Sequence, residues 1–329
     1  MENSLRSRIL SIRNEEDFFS LTLDIFRFQS KNNPVYKEYL MRLNIVPSDI
    51  RTIEEIPFLP IQFFKSRKII TGHKTPETVF ASSGTSGPET SKHYVTDLSV
   101  YEEGFLSAFQ IFYGNPMKYY LLALLPSYLE KEGSSLIYMV DRLIKKTNSP
   151  YSGFYPDDYN KLIEKLHYLK KRKNRTILLF GVSFALLDLA EKISPDLSGS
   201  VVMETGGMKG RRKEIIRKEL HQVLSEKLNL TVIHSEYGMT ELLSQAYSKG
   251  NGIFQTPPWM KILIRDPYDP FSYVKQGRSG GLNIIDLANI NSCSFIETKD
   301  LGKLDNESNF EILGRFDQSD IRGCNLMIE

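Results

Sequence analysis

The sequence predicts an α/β fold in which mostly parallel sheets are flanked by helices and a small antiparallel sheet or barrel follows near the C-terminal end. Two observations support this prediction. In the middle of the chain, short apolar strands alternate with glycine turns and amphipathic helices, which is typical of parallel strands covered by helices. From Gly252 onward, short strands are separated by Gly, Pro and Asp turns, which favours antiparallel pairing.

Length and charge restrict the fold and the kind of partner. A chain of 329 residues can form a large core with more than one lobe. Its 42 basic and 40 acidic residues give a net charge of +2, so no overall field favours nucleic acid or a membrane surface. Residues 1–17 are charged and lack a signal-peptide core, and the longest apolar run, residues 119–125, is too short to span a bilayer. We therefore expect a cytoplasmic protein with a small-molecule partner, no nucleic acid partner and no membrane span.

The chain divides into three predicted regions. Residues 1–54 form a helical lead-in, because apolar residues recur there at three- and four-residue spacing. Residues 55–250 form an α/β core, and residues 251–329 form a small β-rich subdomain. Helices of the core are predicted over 61–70, from an Asp97 cap to about Gly114, and over 136–144, 156–170, 183–193 and 211–227. Strands are predicted over 119–125, 176–180, 201–204, 231–233, 261–264, 281–287, 294–297 and 310–312.

Residues 82–87 read S-S-G-T-S-G and follow the apolar strand-like run V-F-A. Glycines allow backbone N–H groups to converge on an anion, and Ser and Thr hydroxyls add hydrogen-bond donors. On its own, this composition fits a phosphate loop and a polar surface turn equally well. In parallel sheets, ligands bind beyond the carboxyl ends of the strands, so we expect the loop and the glycine turns of the core to share one cleft.

Three further clusters follow this loop in order. They read E-Y-G-M-T-E at residues 236–241, E-T-K-D-L-G at 297–302, and G-R-F-D at 314–317 continuing to I-R-G at 321–323. Together with S-S-G-T-S-G, in this order and at these separations, they resemble the adenylate-forming superfamily of acyl-coenzyme A synthetases, peptide-synthetase adenylation domains and firefly luciferase. The short length, the loop E-T-G-G-M-K at 204–209 and the ending R-G-C-N-L at 322–326 narrow the resemblance to acyl-protein synthetases of the LuxE type, which are related to phenylacetate-coenzyme A ligase. The resemblance covers about residues 55–329.

The resemblance implies a reaction and its cofactors. A carboxylate and ATP give an acyl-adenylate and pyrophosphate, and the acyl group then passes to a thiol, with ATP and Mg²⁺ as cofactors. The expected partners are a carboxylic acid, fatty or aryl, and an acyl acceptor, which is a reductase, a carrier protein or coenzyme A. Full adenylate-forming enzymes continue into a small C-terminal lid domain with a lysine that assists adenylation. Because the chain stops at Glu329, we expect that lid domain to be absent.

The same resemblance assigns roles to residues of this chain. The loop would hold the β- and γ-phosphates, Thr240 would contact the α-phosphate, and Glu241 would bind the metal. The predicted nucleotide-binding residues are Ser82, Ser83, Gly84, Thr85, Ser86, Gly87, Gly206, Gly207, Tyr237, Gly238, Asp300 and Arg315. Among them, Tyr237 would pack on adenine and Asp300 would accept hydrogen bonds from the ribose. The predicted catalytic residues are Thr85, Lys92, Thr240, Glu241 and Cys324.

Several of these residues also have ordinary structural interpretations. Tyr237 fits a half-buried aromatic at a strand end, and Asp300 fits a residue that caps a turn. His234 fits either the wall of an acyl pocket or a hydrogen-bonded core histidine. Residues 181–184 occupy the position of the family's carboxylate pocket, and a plain strand–helix turn fits them equally well.

The two cysteines, Cys293 and Cys324, exclude a disulfide framework and a Cys-rich zinc site. Cys324 directly follows Arg322-Gly323 at the family's hinge, and synthetases of the LuxE type carry an acylated cysteine in this position. We therefore expect Cys324 to be a nucleophile whose thiolate Arg322 favours, and Cys293 to be structural. Two alternatives remain: direct transfer from the adenylate to a coenzyme A or carrier thiol, and a non-catalytic protein that binds a nucleotide or an acyl group.

Overall fold

The computed structural model describes residues 2–82, 90–126, 133–156, 158–207, 212 and 215–316. Within these ranges, two six-stranded sheets and a two-stranded hairpin are accompanied by helices, so the predicted α/β class is confirmed. The helices are α1 Glu2–Ile9, α2 Glu15–Asn32, α3 Pro34–Arg42, α4 Phe63–Ser66, α5 Leu98–Tyr113, α6 Ser135–Lys146, α7 Tyr159–Arg172, α8 Ser183–Lys192 and α9 Arg217–Leu228. Short 3₁₀ helices cover Pro116–Lys118 and Leu287–Asn291.

The strands are numbered in chain order. They are β1 Leu59–Pro60, β2 Thr78–Ala81, β3 Lys92–Val95, β4 Tyr119–Leu124, β5 Gly153–Phe154, β6 Thr176–Val182, β7 Val201–Thr205, β8 His234–Tyr237, β9 Ala246–Ser248, β10 Ile253–Phe254, β11 Met260–Arg265, β12 Ser279–Asp286, β13 Phe295–Leu304 and β14 Phe310–Arg315. The predicted three-region division of the chain stays a prediction. None of the helices in the described ranges has the length and apolar character needed to cross a membrane.

The first sheet has the order β5-β4-β6-β7-β8-β9 and is parallel except for β9. Strand β4 is apolar throughout and buried, which matches the predicted run. The parallel pairing brings Val182, Thr205 and Tyr237, the last residues of β6, β7 and β8, to one edge. The strand predicted over 231–233 is instead His234–Tyr237. Its H-S-E-Y sequence is polar although largely buried, so hydrophobicity alone does not reveal it.

The second sheet has the order β10-β14-β13-β12-β11, all antiparallel, as predicted. Strand β1 adds to this sheet by pairing parallel with β13. Gly302 lies where β13 approaches β14 closely. A Cβ atom at this position would lie 2.3 Å from the carbonyl oxygen of Glu311, so only glycine permits this contact.

Strands β2 and β3 form an antiparallel hairpin that carries the predicted phosphate loop. Just beyond the paired residues, the N–H of Ser82 donates to the carbonyl oxygen of Ser91 at 3.0 Å, and the N–H of Ser91 donates to Ser82 Oγ at 3.0 Å. These two hydrogen bonds join Ser82 to Ser91, the described residues on either side of this segment. Strand β3 was not predicted, because K-H-Y-V mixes charged and apolar residues.

The helix boundaries follow the capping signals where those signals exist. Asp97 caps α5 as predicted, because its carboxylate accepts a hydrogen bond from the N–H of Ser99. The helix predicted over 61–70 is only Phe63–Ser66, because Arg67 takes up an extended backbone conformation. The helix predicted over 211–227 begins at Arg217.

Candidate active site

Tyr237, Asp300 and Arg315 come from strands β8, β13 and β14 and meet at one place. Tyr237 Oη donates a hydrogen bond of 2.7 Å to Asp300 Oδ2, and Arg315 Nε lies 3.1 Å from Asp300 Oδ1. Asp300 and Arg315 are directly paired across β13 and β14. Both oxygens of the Asp300 carboxylate are thus held in place. Since a carboxylate oxygen accepts more than one hydrogen bond, each can still accept from a ligand hydroxyl.

The ring of Tyr237 is buried at the end of β8. Phe254 and Phe310 pack against it edge-on, with ring centroids 6.1 and 5.7 Å away. Burial raises the pKa of Tyr237 well above its usual value, and the nearby Asp300 carboxylate raises it further. The hydroxyl therefore stays protonated and acts as the donor to Asp300. Asp300 lies inside β13, so it does not cap a turn, whereas Tyr237 is an aromatic at a strand end, as its structural interpretation also expects.

Glu241 follows β8 and is buried, with 6% of its surface exposed. Burial raises the pKa of Glu241; a hydrogen bond from the Ser91 side chain and the charge of Arg315 oppose that shift, while Asp300 adds to it. Glu241 therefore shares its electrostatic environment with Asp300 and Arg315. Ser91, which directly precedes β3, and the cluster at 236–241 therefore meet at this carboxylate.

Two buried polar residues, Asp286 and Asn289, bind the backbone of the segment from Glu241 to Ser244. Asn289 Nδ2 donates to the Glu241 carbonyl oxygen at 2.8 Å, and the N–H of Leu243 donates to Asp286 Oδ2 at 2.9 Å. Ser244 adds an N–H and a hydroxyl to Asp286 at 2.9 and 2.6 Å. Burial raises the pKa of Asp286 to about 6. Sequence reasoning missed this pair; the signal is an Asp and an Asn inside the otherwise apolar run I-I-D-L-A-N-I at residues 284–290.

The structure describes some of the remaining predicted residues and not others. Ser82 begins the loop, whereas residues 83–87 and Cys324 lie outside the described residues. Lys92 is exposed, while Ser91 before it and His93 after it are buried, so Lys92 points to the opposite face of β3. Thr240 lies directly before Glu241 and is half-buried.

The glycines flank the same edge of the first sheet. Gly206 has φ +67°, a left-handed conformation that favours glycine, and Gly207 follows it after β7. Ser183 Oγ lies 3.2 Å from the Gly206 carbonyl oxygen, which joins this turn to the 181–184 segment. A Cβ atom on Gly238 would lie 2.5 Å from Glu236 Oε1, so a larger residue there would force the Glu236 carboxylate to move.

Two buried glutamates that the sequence analysis did not single out lie behind these turns. Burial alone would raise the pKa of Glu204, but hydrogen bonding to His221 and the charge of Arg217 lower it to about 2. Burial raises the pKa of Glu236 to about 7, although Thr205 Oγ1 donates a hydrogen bond to its carboxylate. Glu204 is therefore ionised, and Glu236 is partly protonated at neutral pH.

His234 lies at the start of β8 and is partly buried. Its Nδ1 lies 3.1 Å from Tyr113 Oη, and the two rings are in contact. Burial lowers the pKa of His234, and the nearby Lys249 lowers it further. The geometry gives His234 a hydrogen-bonded partner within the protein, as expected of a core histidine.

We expect Glu236→Gln to remove a pH-dependent part of the stability. The folded pKa of about 7 lies above the unfolded value, so the favourable contribution of Glu236 is complete below about pH 4.5 and is lost as the pH rises through about 7. Glutamine imitates the protonated side chain. The free energy of unfolding of the variant should therefore exceed that of wild type by roughly 2 kcal/mol more at pH 8 than at pH 5. Denaturant titration of both proteins at the two pH values measures this difference.

The exposed Glu226→Gln on α9 is the matched control and should show no such difference. An equal effect of Glu236→Gln at both pH values would contradict the raised pKa.

Comparison with known proteins agrees with this fold. No family model matches the chain. The long-chain-fatty-acid–luciferin-component ligase of Aliivibrio fischeri is 25% identical over 309 residues, which cover 86% of this chain and 78% of that protein. The open conformation of 2-hydroxyisobutyryl-CoA ligase, in complex with 2-HIB-AMP and CoA, matches with a TM-score of 0.67 at 12% identity, over 93% of this chain and 72% of that one.

ATP-bound MatB from Rhodopseudomonas palustris matches with a TM-score of 0.53 at 15% identity, over 72% of this chain and 47% of MatB. The match therefore spans about half the length of MatB. The structural likenesses establish the fold, which this chain shares with 2-hydroxyisobutyryl-CoA ligase and MatB. Together with the similarity to the luciferin-component ligase, they confirm the resemblance predicted from the four motifs.

Proposed function

We propose that this chain is an acyl-protein synthetase of the LuxE type, which activates a carboxylic acid with ATP and passes the acyl group to a protein thiol. The similarity to a curated ligase and the fold shared with acyl-CoA ligases confirm the broader class, an ATP-dependent, AMP-forming ligase that transfers an acyl group. The observation that supports the proposal best is the Asp300 carboxylate, fixed by Tyr237 and Arg315 beside the buried Glu241.

The nucleoside of ATP is proposed to lie against Tyr237 and the 206–207 turn. Asp300 offers two oriented oxygens, which suit the paired hydroxyls of a ribose. Gly206 and Gly207 allow the backbone to approach the base closely. The buried ring of Tyr237 contributes a flat apolar surface at the edge of this region.

Adenylation brings an anionic carboxylate onto the α-phosphate of a polyanion, so positive and hydrogen-bonding groups must surround the phosphates. We assign this role to the loop at residues 82–87 and to Thr240. Lys92, whose ammonium lies on the exposed face of β3, contributes only as a longer-range charge.

The residues present fit a magnesium ion that is held by a single protein carboxylate. Among the described residues, no group of three or more His, Cys, Asp or Glu side chains is arranged to hold a metal. Mg²⁺ in nucleotide sites needs only one or two carboxylates, because phosphates and water complete its shell. Glu241 supplies one such carboxylate, and the burial that raises its pKa is a cost that a cation would offset. When bound, the metal would neutralise charge on the phosphates.

The acyl group is proposed to pass from the adenylate to Cys324 and then to a partner protein. The thiolate sulfur attacks the acyl carbonyl carbon, a C–S bond forms, and the bond from that carbon to the phosphate oxygen breaks as AMP leaves. The order of residues R-G-C at 322–324 supports this assignment through the family resemblance. Cys293 is unsuited to the role, because burial raises its pKa to about 12.

Labelling with a radioactive long-chain acid and ATP tests this function. Wild type and Cys293→Ala are expected to form an acyl-enzyme that hydroxylamine cleaves, and Cys324→Ser is expected to form none. All three should retain acid-dependent pyrophosphate exchange, because exchange requires only the adenylation step. A panel of fatty and aryl acids in the exchange assay identifies the substrate class.

Other outcomes separate the alternatives. If Cys324→Ser becomes labelled as wild type does, the covalent role of Cys324 is wrong. Full turnover of Cys324→Ser with coenzyme A or a carrier thiol would instead support direct transfer. ATP binding without any acid-dependent exchange would leave only a nucleotide-binding protein.

A further inference from the structure

His93 connects the phosphate-loop hairpin to the segment that carries Glu241. It lies in β3, opposite Phe80 of β2, and is 1% exposed. Its Nδ1 lies 2.9 Å from the carbonyl oxygen of Thr240, and its Nε2 lies 2.9 Å from Ser292 Oγ. The ring also packs edge-on against Phe64, with the centroids 5.6 Å apart. One imidazole thus joins three separate parts of the chain.

The two hydrogen bonds define the tautomer of His93. A carbonyl oxygen can only accept a hydrogen bond, so Nδ1 must be protonated and must donate to the Thr240 carbonyl oxygen. Burial lowers the pKa of His93 to about 4, so the ring is neutral at neutral pH and its Nε2 accepts from the Ser292 hydroxyl. The donor to Thr240 is therefore maintained across the physiological pH range.

Neighbouring contacts extend this connection to Glu241 itself. The Thr240 carbonyl is bound by His93, and the next carbonyl, that of Glu241, is bound by Asn289 at 2.8 Å. Residues 240–241 belong to no helix or strand, so side chains provide the partners that regular structure would otherwise supply. Ser91 directly precedes β3, and His93 lies in it; they bind the Glu241 side chain and the Thr240 carbonyl respectively.

We propose that His93 is a positioning residue, which acts through the Thr240 carbonyl to hold Glu241 in a fixed place relative to the phosphate-loop hairpin. The inference rests on the proposed function, which gives the loop and Glu241 their roles toward ATP. His93 itself touches no reacting atom. Its effect is on the distance and orientation between the two groups that hold the phosphates, and small misplacements of such groups reduce rates strongly.

Two substitutions at this position separate positioning from packing. The amide nitrogen of an asparagine lies close to the place of Nδ1, so His93→Asn can still donate to Thr240. The amide nitrogen of a glutamine lies close to the place of Nε2, so His93→Gln reaches Ser292 and loses the Thr240 bond. Both remove the buried ring, and both should lower the melting temperature by a similar amount.

Acid-dependent pyrophosphate exchange should therefore distinguish the two variants. We expect kcat of His93→Gln to fall by about 10- to 100-fold and that of His93→Asn to stay within about threefold of wild type, with the KM for the acid unchanged in both. The exposed His167→Gln on α7 is the matched control and should behave as wild type.

Equal losses of kcat in His93→Asn and His93→Gln would overturn the positioning role and leave only a packing role. Wild-type kcat in both variants would also overturn it. If wild type itself shows no acid-dependent exchange, the proposed function fails, and with it the role assigned to His93. Melting temperatures measured on the same samples ensure that each comparison is made between folded proteins.

Discussion

Glu241→Gln is expected to lower acid-dependent pyrophosphate exchange by about 100- to 1,000-fold while making the ligand-free protein more stable. Glutamine keeps the size of the side chain and can still accept a hydrogen bond from Ser91, but it carries no charge. It therefore preserves the packing of the site and removes the one carboxylate proposed to hold Mg²⁺.

The stability gain follows from the direction of the pKa shift. Burial raises the folded pKa of Glu241 above the unfolded value, so its favourable contribution exists at low pH and is lost as the pH rises through the folded pKa. Above that pH the ionised carboxylate is a cost, which glutamine removes. Opposite changes in exchange rate and in melting temperature at pH 8 would identify Glu241 as a residue retained for function.

Glu226→Gln, which changes an exposed glutamate on α9, should alter neither quantity. An unchanged exchange rate in Glu241→Gln would contradict its assignment. Loss of exchange together with loss of stability would show that the substitution damages the fold.

The fold was predictable from the sequence where burial follows hydrophobicity. Strands β4, β6 and β7 are apolar runs, and their positions match the prediction within one or two residues. Strand β8 consists of His, Ser, Glu and Tyr, which are largely buried because neighbouring residues satisfy them, and a hydrophobic pattern places the strand too early. Strand β3 has the same difficulty, because Lys92 and His93 interrupt the apolar pattern.

The candidate site was predictable only as separate motifs. The resemblance named Tyr237, Glu241, Asp300 and Arg315, and their roles remain predictions. Their contacts could not be read from the chain, because the Tyr237–Asp300 hydrogen bond joins residues 63 positions apart. His93 has no local signature either: its partners are a backbone carbonyl and a serine that lie 147 and 199 positions away.

Asp300→Asn is expected to weaken ATP binding by about 10- to 100-fold, because a carboxylate bound to hydroxyl groups contributes roughly 1.5–3 kcal/mol per hydrogen bond. The substitution keeps the shape of the side chain. It replaces one acceptor oxygen with an NH₂ group, which must then face Tyr237 Oη or Arg315 Nε, both of which are donors to Asp300. Arg315 is 69% exposed, so loss of its ion pair should cost little stability.

Measuring the affinity of each protein for two nucleotides tests whether Asp300 contacts the ribose hydroxyls. Wild type should bind ATP more tightly than 2′,3′-dideoxy-ATP in calorimetric titrations, and Asp300→Asn should bind the two nearly equally. Tyr237→Phe removes only the hydroxyl that orients Asp300 and should reduce the discrimination partly. If Asp300→Asn weakens binding of both nucleotides by the same factor, Asp300 supports the shape of the site and does not contact the ribose.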